Sequence, residues 1–242
     1  MQREMRIDGS LFWTQLAQFL IQSAHQLEVS PIVKYTALSL FFDRFHHCLS
    51  SYTEIRNLRE GNDKVNWLLQ PMTQSNLQLF ALISLWVSSK IHDSRPLSVK
   101  TYKSLGDKII SDQHFTARDF LEAETVFLQV LDFEIGSSNI AFLFLEELLL
   151  QFKGVAKIGE FVSFEACMDL MDLLYEKEET SILYRSPRSL ATAILVAAYV
   201  ITVPKQGWEF PVLHWVKFVT AFKEEDTVEL VQDILKHVFE PC

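Results

Sequence analysis

Glycine is scarce in this chain, with seven among 242 residues, where average usage would give about 17. So few leave little room for left-handed turns and none for a loop whose backbone could cradle a phosphate. Cysteine is also sparse. Cys48, Cys167 and Cys242 form no C-x-x-C pair, which excludes a disulfide framework and fits a reducing compartment. Basic residues are outnumbered 22 to 31, for a formal net charge of −9. A nucleic-acid partner would call for the opposite balance, and no local run of Lys and Arg supplies it. Long apolar runs are missing too: the longest, Leu190 to Val203, falls short of the roughly 20 residues that a membrane-spanning helix needs. The first residues, Met1 to Asp8, lack the apolar stretch of a secretory signal. These absences predict a soluble, intracellular protein with no membrane partner.

What is present is apolar surface. Hydrophobic residues make up 49% of the chain, 19 of them Phe, and mean hydropathy is +0.12. That is rich for a solitary domain and predicts a sizeable interface with another protein. Apolar residues recur at helical spacing throughout, without the period-two alternation of strands. Caps and prolines divide the chain into about ten helices. In the first half these run from Ser10 to Leu27, from Pro31 to about Cys48, from Thr73 to Lys90, from Pro96 through Leu105, and from Thr116 to before Gly136. In the second half they are Ser138 to Phe152, Phe161 to Lys177, Pro187 to Val203, Pro211 to Phe222 and Glu224 to Phe239. The third helix of each half is apolar nearly all round, the mark of a helix enclosed by its neighbours. The pattern predicts an all-α protein made of two tandem five-helix folds, residues 10–135 and 136–242, each wrapped around its third helix. A polar stretch at about 49–72 reads as an insertion, a surface excursion with at most a helical turn at Trp67-Leu68-Leu69.

Two charges stand out. Lys90 ends the apolar run that begins at Leu77, and Glu124 sits inside a second run, Phe120 to Phe133. A charge at the edge of a buried helix is costly unless it is paired or reaches water. Two opposite ones suggest a shared spot on one face of the bundle.

Several segments then resemble one family. Leu38-Ser39-Leu40-Phe41-Phe42-Asp43-Arg44-Phe45 is similar to the second-helix motif of cyclins, in which an Asp-Arg-Phe triplet follows an apolar stretch. Leu77 to Lys90 resembles their third helix, and Glu124 with Val126 to Ile135 their fifth helix and its exit. Ser186-Pro187-Arg188-Ser189-Leu190-Ala191-Thr192-Ala193 resembles the small-residue third helix of the C-terminal cyclin fold. The likeness spans roughly Leu11 to Phe239 and is nearest to the plant J-type cyclins, given the insertion between Phe45 and Leu77. It implies a regulatory subunit, not an enzyme, that binds and activates a cyclin-dependent kinase in cell-cycle control, in the nucleus and/or the cytoplasm. It also implies that Lys90 and Glu124 grip the kinase, that Ile91, Leu128, Phe133 and Ile135 pack on its regulatory helix, and that Asp43, Arg44 and Phe45 are structural. No cofactor or metal is implied. One departure concerns the first helix, where cyclins carry Met-Arg-Ala-Ile-Leu in a groove that docks substrates. Here the matching residues are Trp13-Thr14-Gln15-Leu16-Ala17, and the loss of the Arg argues against substrate docking through that groove.

Other readings compete. Within the same fold, the chain could be a transcription-type scaffold, although it lacks a basic face. Asp169, Asp172 and Glu176, with Glu178 and Glu179 beyond, could be the carboxylates of a helical metal enzyme. No Glu-x-x-His or Asp-Asp-x-x-Asp motif supports this, so a solvated face is the stronger reading. Adjacent His46 and His47 point about 100° apart on a helix and make a poor metal pair. Ser186-Pro187 fits a helix cap better than a phosphorylation site. No Ser lies in the Gly-x-Ser-x-Gly context of a hydrolase.

Overall fold

A computed structural model describes residues 9–60, 66–136, 139–178, 180, 183, 186–204 and 210–239. The chain divides into two compact units, residues 1–138 and 139–242. Among the described residues every regular element is helical. The first unit contains α1 (Gly9–Gln26), α2 (Pro31–Leu38), a π-helical stretch (Ser39–Phe45), α3 (His46–Glu60), α4 (Gln74–His92), α5 (Val99–Ile109) and α6 (Ala117–Val130). The second contains α7 (Ala141–Val155), a short 3₁₀ segment (Lys157–Phe161), α8 (Phe164–Glu176), α9 (Pro187–Thr202), α10 (Val212–Thr220) and α11 (Glu224–Phe239). Because α2, the π stretch and α3 follow one another without a break, each unit amounts to five helices. In the first unit α4 packs against α1, α2, α5 and α6, and in the second α9 packs against α7, α8, α10 and α11. Residues 79–89 of α4 and 190–199 of α9 are buried on every side, so the enclosed third helix is present in both units.

Several boundaries differ from the sequence pattern, each for a local reason. The second helix does not stop near Cys48. Helix continues to Glu60, through the part of the insertion read as an excursion, and the Trp67–Leu69 turn follows it. The rest of the insertion, 61–65, lies outside the described residues. A π-helical turn holds about one extra residue per turn and rotates the side chains that follow. Here Leu40, Phe41, Phe42 and Phe45 are all buried while Arg44 remains half-exposed. Phe45 is the hub of this cluster, with ring centroids 4.8 Å from both Phe80 and Phe127 and 5.8 Å from Phe41.

The fourth helix starts at Val99, not Pro96, because the Ser98 side chain accepts from the Thr101 N–H and so supplies the cap. Gly106 of α5 faces Leu82 and Phe120, whose side chains a Cβ there would meet at 3.4 Å, about ordinary contact distance. The Thr116 capping box is formed, with Asp119 serving where Glu is usual. At two other starts the proline sits in the first turn, but the preceding serine makes no capping bond. Ser30 is extended, its hydroxyl without a partner among the described residues, and Ser186 donates instead to the Ser189 hydroxyl at 2.9 Å. The cap reading of Ser186-Pro187 therefore holds for the proline alone.

The turn before α4 is tied to that helix by Asn76, which is buried in its first turn. Its amide donates to the Leu68 carbonyl at 3.0 Å, and to the Trp67 and Pro71 carbonyls at 3.4 Å. Replacing it with Ala leaves those buried acceptors without their donor, a loss of about 2 kcal/mol. Asn76→Ala is therefore expected to lower the thermal midpoint by several degrees, with an unchanged helical spectrum when measured by circular dichroism.

Candidate functional site

The site is built on α6, one face of which is closed by the core while the other is open to water. Phe120, Ala123, Val126, Phe127 and Val130 are buried. Turning away from them, α6 presents Leu121, Thr125 and Leu128 at helical spacing, and Leu121 is 53% exposed. Glu124 flanks this strip on one side, where the end of α4 packs. Lys90 donates from Nζ to Glu124 Oε1 at 2.5 Å, and its ammonium lies 3.6 Å from the centre of the Trp86 ring. The Lys90 and Glu124 side chains keep 38% and 17% of their surface in water. They form an ion pair on an aromatic base with one side open, not an enclosed bridge.

On the other side of the strip, Tyr52 of α3 donates to Gln129 Oε1 at 3.2 Å, and Asn66 donates to Glu122 Oε1 at 3.2 Å. Gln129 and Glu122 lie two turns apart on the same flank of α6. The insertion thus runs beside the strip and forms its second edge.

The exit from α6 completes the surface. The helix ends at Val130, well before Gly136, because Asp132 and Phe133 adopt left-handed backbone at φ 49° and 58°. For a bulky residue this conformation is strained by about 1–3 kcal/mol. The Phe133 N–H is nevertheless held on the Leu128 carbonyl at 2.8 Å. The result is a Phe that is 63% exposed, fixed beside Leu128. Ile135 is half-buried on the same exit, and Ile91 follows Lys90 at the end of α4 with 37% exposure.

The predicted residues thus separate into groups. Lys90 and Glu124 meet, with Ile91 and Leu128 beside them and Phe133 and Ile135 on the adjoining loop. In the Asp-Arg-Phe triplet only Phe45 is a core residue. Asp43 is half-buried and engaged, and Arg44 reaches Glu134 Oε2 at 3.7 Å, tying the second helix to the α6 exit. The sequence reading missed Leu121, which falls three residues before Glu124 and seven before Leu128 and could have been found on that spacing. It also missed Trp86 and Tyr52, whose roles depend on contacts that no local pattern encodes. Trp13 of the first helix is buried against Phe42, with ring centroids 4.5 Å apart, and Thr14 is half-buried and engaged.

Burial pushes the Tyr102 hydroxyl up to about 12, opposed by the nearby Ser89, and pushes the Cys167 thiol up to about 12, which leaves it unreactive. Among the described residues no three His, Cys, Asp or Glu side chains converge as metal ligands. No helix there is long and apolar enough to cross a membrane.

His92, two residues after Lys90, bonds through Nε2 to Thr36 Oγ1 at 2.9 Å and links α4 to α2. Burial lowers its pKa from the ordinary 6.5, with Asp93 opposing. As pH falls, the unfolded chain therefore takes up this proton before the folded one. The contribution to stability is complete above 6.5 and declines as pH drops from there toward the lower folded value. Between about pH 7.5 and 5.5, the urea midpoint of the wild type should fall more than that of His92→Gln, which keeps a polar partner for Thr36 but cannot titrate.

Known proteins give this geometry its context. The chain is similar in structure to a viral cyclin from herpesvirus saimiri, with a TM-score of 0.65 at 15% identity, covering 96% of this chain and 84% of that one. The two five-helix units are thus those of the cyclin fold. Residues 63–136, which include Lys90, Glu124 and the α6 exit, match the family model described as cyclin, N-terminal domain. The sequence is 59% identical over 224 residues to Cyclin-J18 of Arabidopsis thaliana, covering 93% of each chain. It is 50% identical over 227 residues to Cyclin-J18-like of Oryza sativa subsp. japonica, covering 94% of this chain and 87% of the relative. The chain belongs to the cyclin family and, within it, to the plant J type. It is by kind a regulatory protein.

Proposed function

We propose that this cyclin is the regulatory subunit of a cyclin-dependent protein kinase and activates it in cell-cycle control, in the nucleus and/or the cytoplasm. One observation carries the reading: a half-exposed Lys90–Glu124 pair stands beside an exposed apolar strip that ends in a strained, outward Phe133. A polar anchor with apolar neighbours is the composition of a protein-binding hot spot. In this role Ile91, Leu121, Leu128, Phe133 and Ile135 pack on the kinase's regulatory helix, while Lys90 and Glu124 bond its exposed backbone or polar ends. The cyclin performs no chemistry. Tighter binding to the kinase conformation whose Lys–Glu ion pair and metal-binding Asp are in place shifts the population toward that state.

The test is affinity capture of the tagged chain from dividing plant tissue, followed by a histone-phosphorylation assay. A kinase should be retained and active only with the cyclin present. A captured complex that contains no kinase would refute the reading.

A further inference from the structure

The second unit holds an open cavity of about 290 Å³ between α7, the first turns of α9 and the end of α10. Its volume is close to the roughly 300 Å³ at which small ligand pockets begin, room for one or two side chains and not for a cofactor. Phe144, Leu148, Val219 and Phe222 give it an apolar floor, and Glu147 and Arg188 stand among its lining residues. The Arg188 guanidinium is held 4.8 Å from the centre of the Phe144 ring. A cation–π contact of this kind restrains the group while leaving its N–H donors free. Among the described residues no carboxylate pairs with Arg188, and Glu147 accepts only from Gln151, at 3.2 Å. The two hydroxyls in the wall are committed to backbone, Thr192 to the Arg188 carbonyl and Thr220 to the Val216 carbonyl, each at 2.8 Å. Recognition in this cavity is therefore left to apolar surface and to Arg188 and Glu147, neither of which forms an ion pair among the described residues.

We propose that this cavity docks a short peptide segment in which a bulky apolar side chain lies near an acidic one. The apolar side chain seats on Phe144, Leu148, Val219 and Phe222. The carboxylate bonds to the preoriented Arg188 guanidinium, the geometry in which Arg binds carboxylates best. Glu147 then faces the peptide's backbone N–H groups. Charge complementarity selects this occupant: Arg188, which pairs with no carboxylate among the described residues even though Glu147 lines the same cavity, offers an acidic side chain a cation beside an apolar floor. A metabolite of similar size would need more fixed polar partners than the committed hydroxyls leave. The site does not depend on kinase binding.

The probe is a panel of fluorescein-labelled, end-capped peptides in a Gly-Ser background carrying Asp-Leu, Asp-Gly-Leu or Leu-Gly-Asp, titrated into the full chain and read by anisotropy. At least one spacing should saturate, roughly tenfold tighter than its Asp-to-Asn counterpart. Arg188→Glu should reverse the preference toward Lys-for-Asp peptides. Gln151→Trp, at an exposed lining position, should block all of them. Both variants should keep the wild-type melting curve and kinase capture. No saturable binding to the wild type, or binding that Arg188→Glu and Gln151→Trp leave unchanged, overturns the proposal. So does a change in sedimentation with Arg188→Glu, since that would make the cavity a contact between copies of the chain.

Discussion

Lys90→Glu is expected to weaken kinase binding by about 30- to 1,000-fold, the consequence of losing a hot-spot contact of roughly 2–4 kcal/mol. The same change should lower the melting temperature of the free chain by only a few degrees, because a partly open ion pair is worth about 0–1 kcal/mol to folding. Surface plasmon resonance against the captured kinase, with calorimetry of the cyclin alone, measures both quantities. The contact within the chain makes a control necessary. Lys90 and Glu124 bond each other in the free protein, so a single reversal removes that bond and also places two like charges together. The double variant, Lys90→Glu with Glu124→Lys, restores the pair in the opposite sense. If the pair serves only this chain, binding returns with it. If it anchors a partner, stability returns and binding does not, because the partner's own charges and backbone groups have not been exchanged. Binding that recovers in the double variant would refute the proposed role.

The sequence conveyed the fold through features that act locally. Apolar periodicity marked α4 and α9 as enclosed, and their buried spans, 79–89 and 190–199, follow those runs. Capping residues placed the start of α6 because Thr116 and Asp119 bond across a single turn. Boundaries failed at one local choice, where Ser98 and not Pro96 sets the start of α5, and elsewhere where the deciding interaction lay further away. Polar composition made the insertion look like an excursion, yet α3 persists to Glu60, with Tyr52 bonded to Gln129 some eighty positions later. The α6 helix ends before Gly136 as the sequence indicated, but the form of its exit was not legible. Nothing in Leu131-Asp132-Phe133 announces two left-handed residues without a glycine, and the Leu128 carbonyl and the Arg44–Glu134 contact hold them there. Lys90 and Glu124 could be singled out as charges in apolar runs, and their meeting follows from the packing of α4 on α6. Trp86 beneath Lys90 is one turn back on the same helix, but an aromatic in a buried run reads first as core. Residues that act through the chain's own periodicity were legible, and those that act through a distant partner were not.

Two phenylalanines separate the fold from the surface. Phe45 is fully buried, stacked on Phe127 and tilted against Phe80, so it joins the second helix to both α4 and α6. Phe45→Ala should cost about 3–5 kcal/mol, since the lost transfer free energy is increased by a cavity that three helices cannot close. The thermal midpoint of the first unit should then fall by roughly 10 °C or more, scaling from about 2–4 °C per kcal/mol at this chain length. Phe133 is open to water and its backbone is strained. Phe133→Ala removes little buried area from the free chain, and Phe133→Gly should stabilise it slightly, because glycine adopts positive φ without penalty. Both changes at position 133 should nevertheless reduce kinase affinity by about tenfold or more, as the loss of an aromatic anchor does. A surface whose most exposed aromatic residue is also locally unfavourable gives no benefit to the isolated molecule. If Phe133→Gly raised the melting temperature and kept full kinase affinity, the α6 exit would play no part in binding and the grip would rest on Lys90, Glu124 and the α6 strip alone.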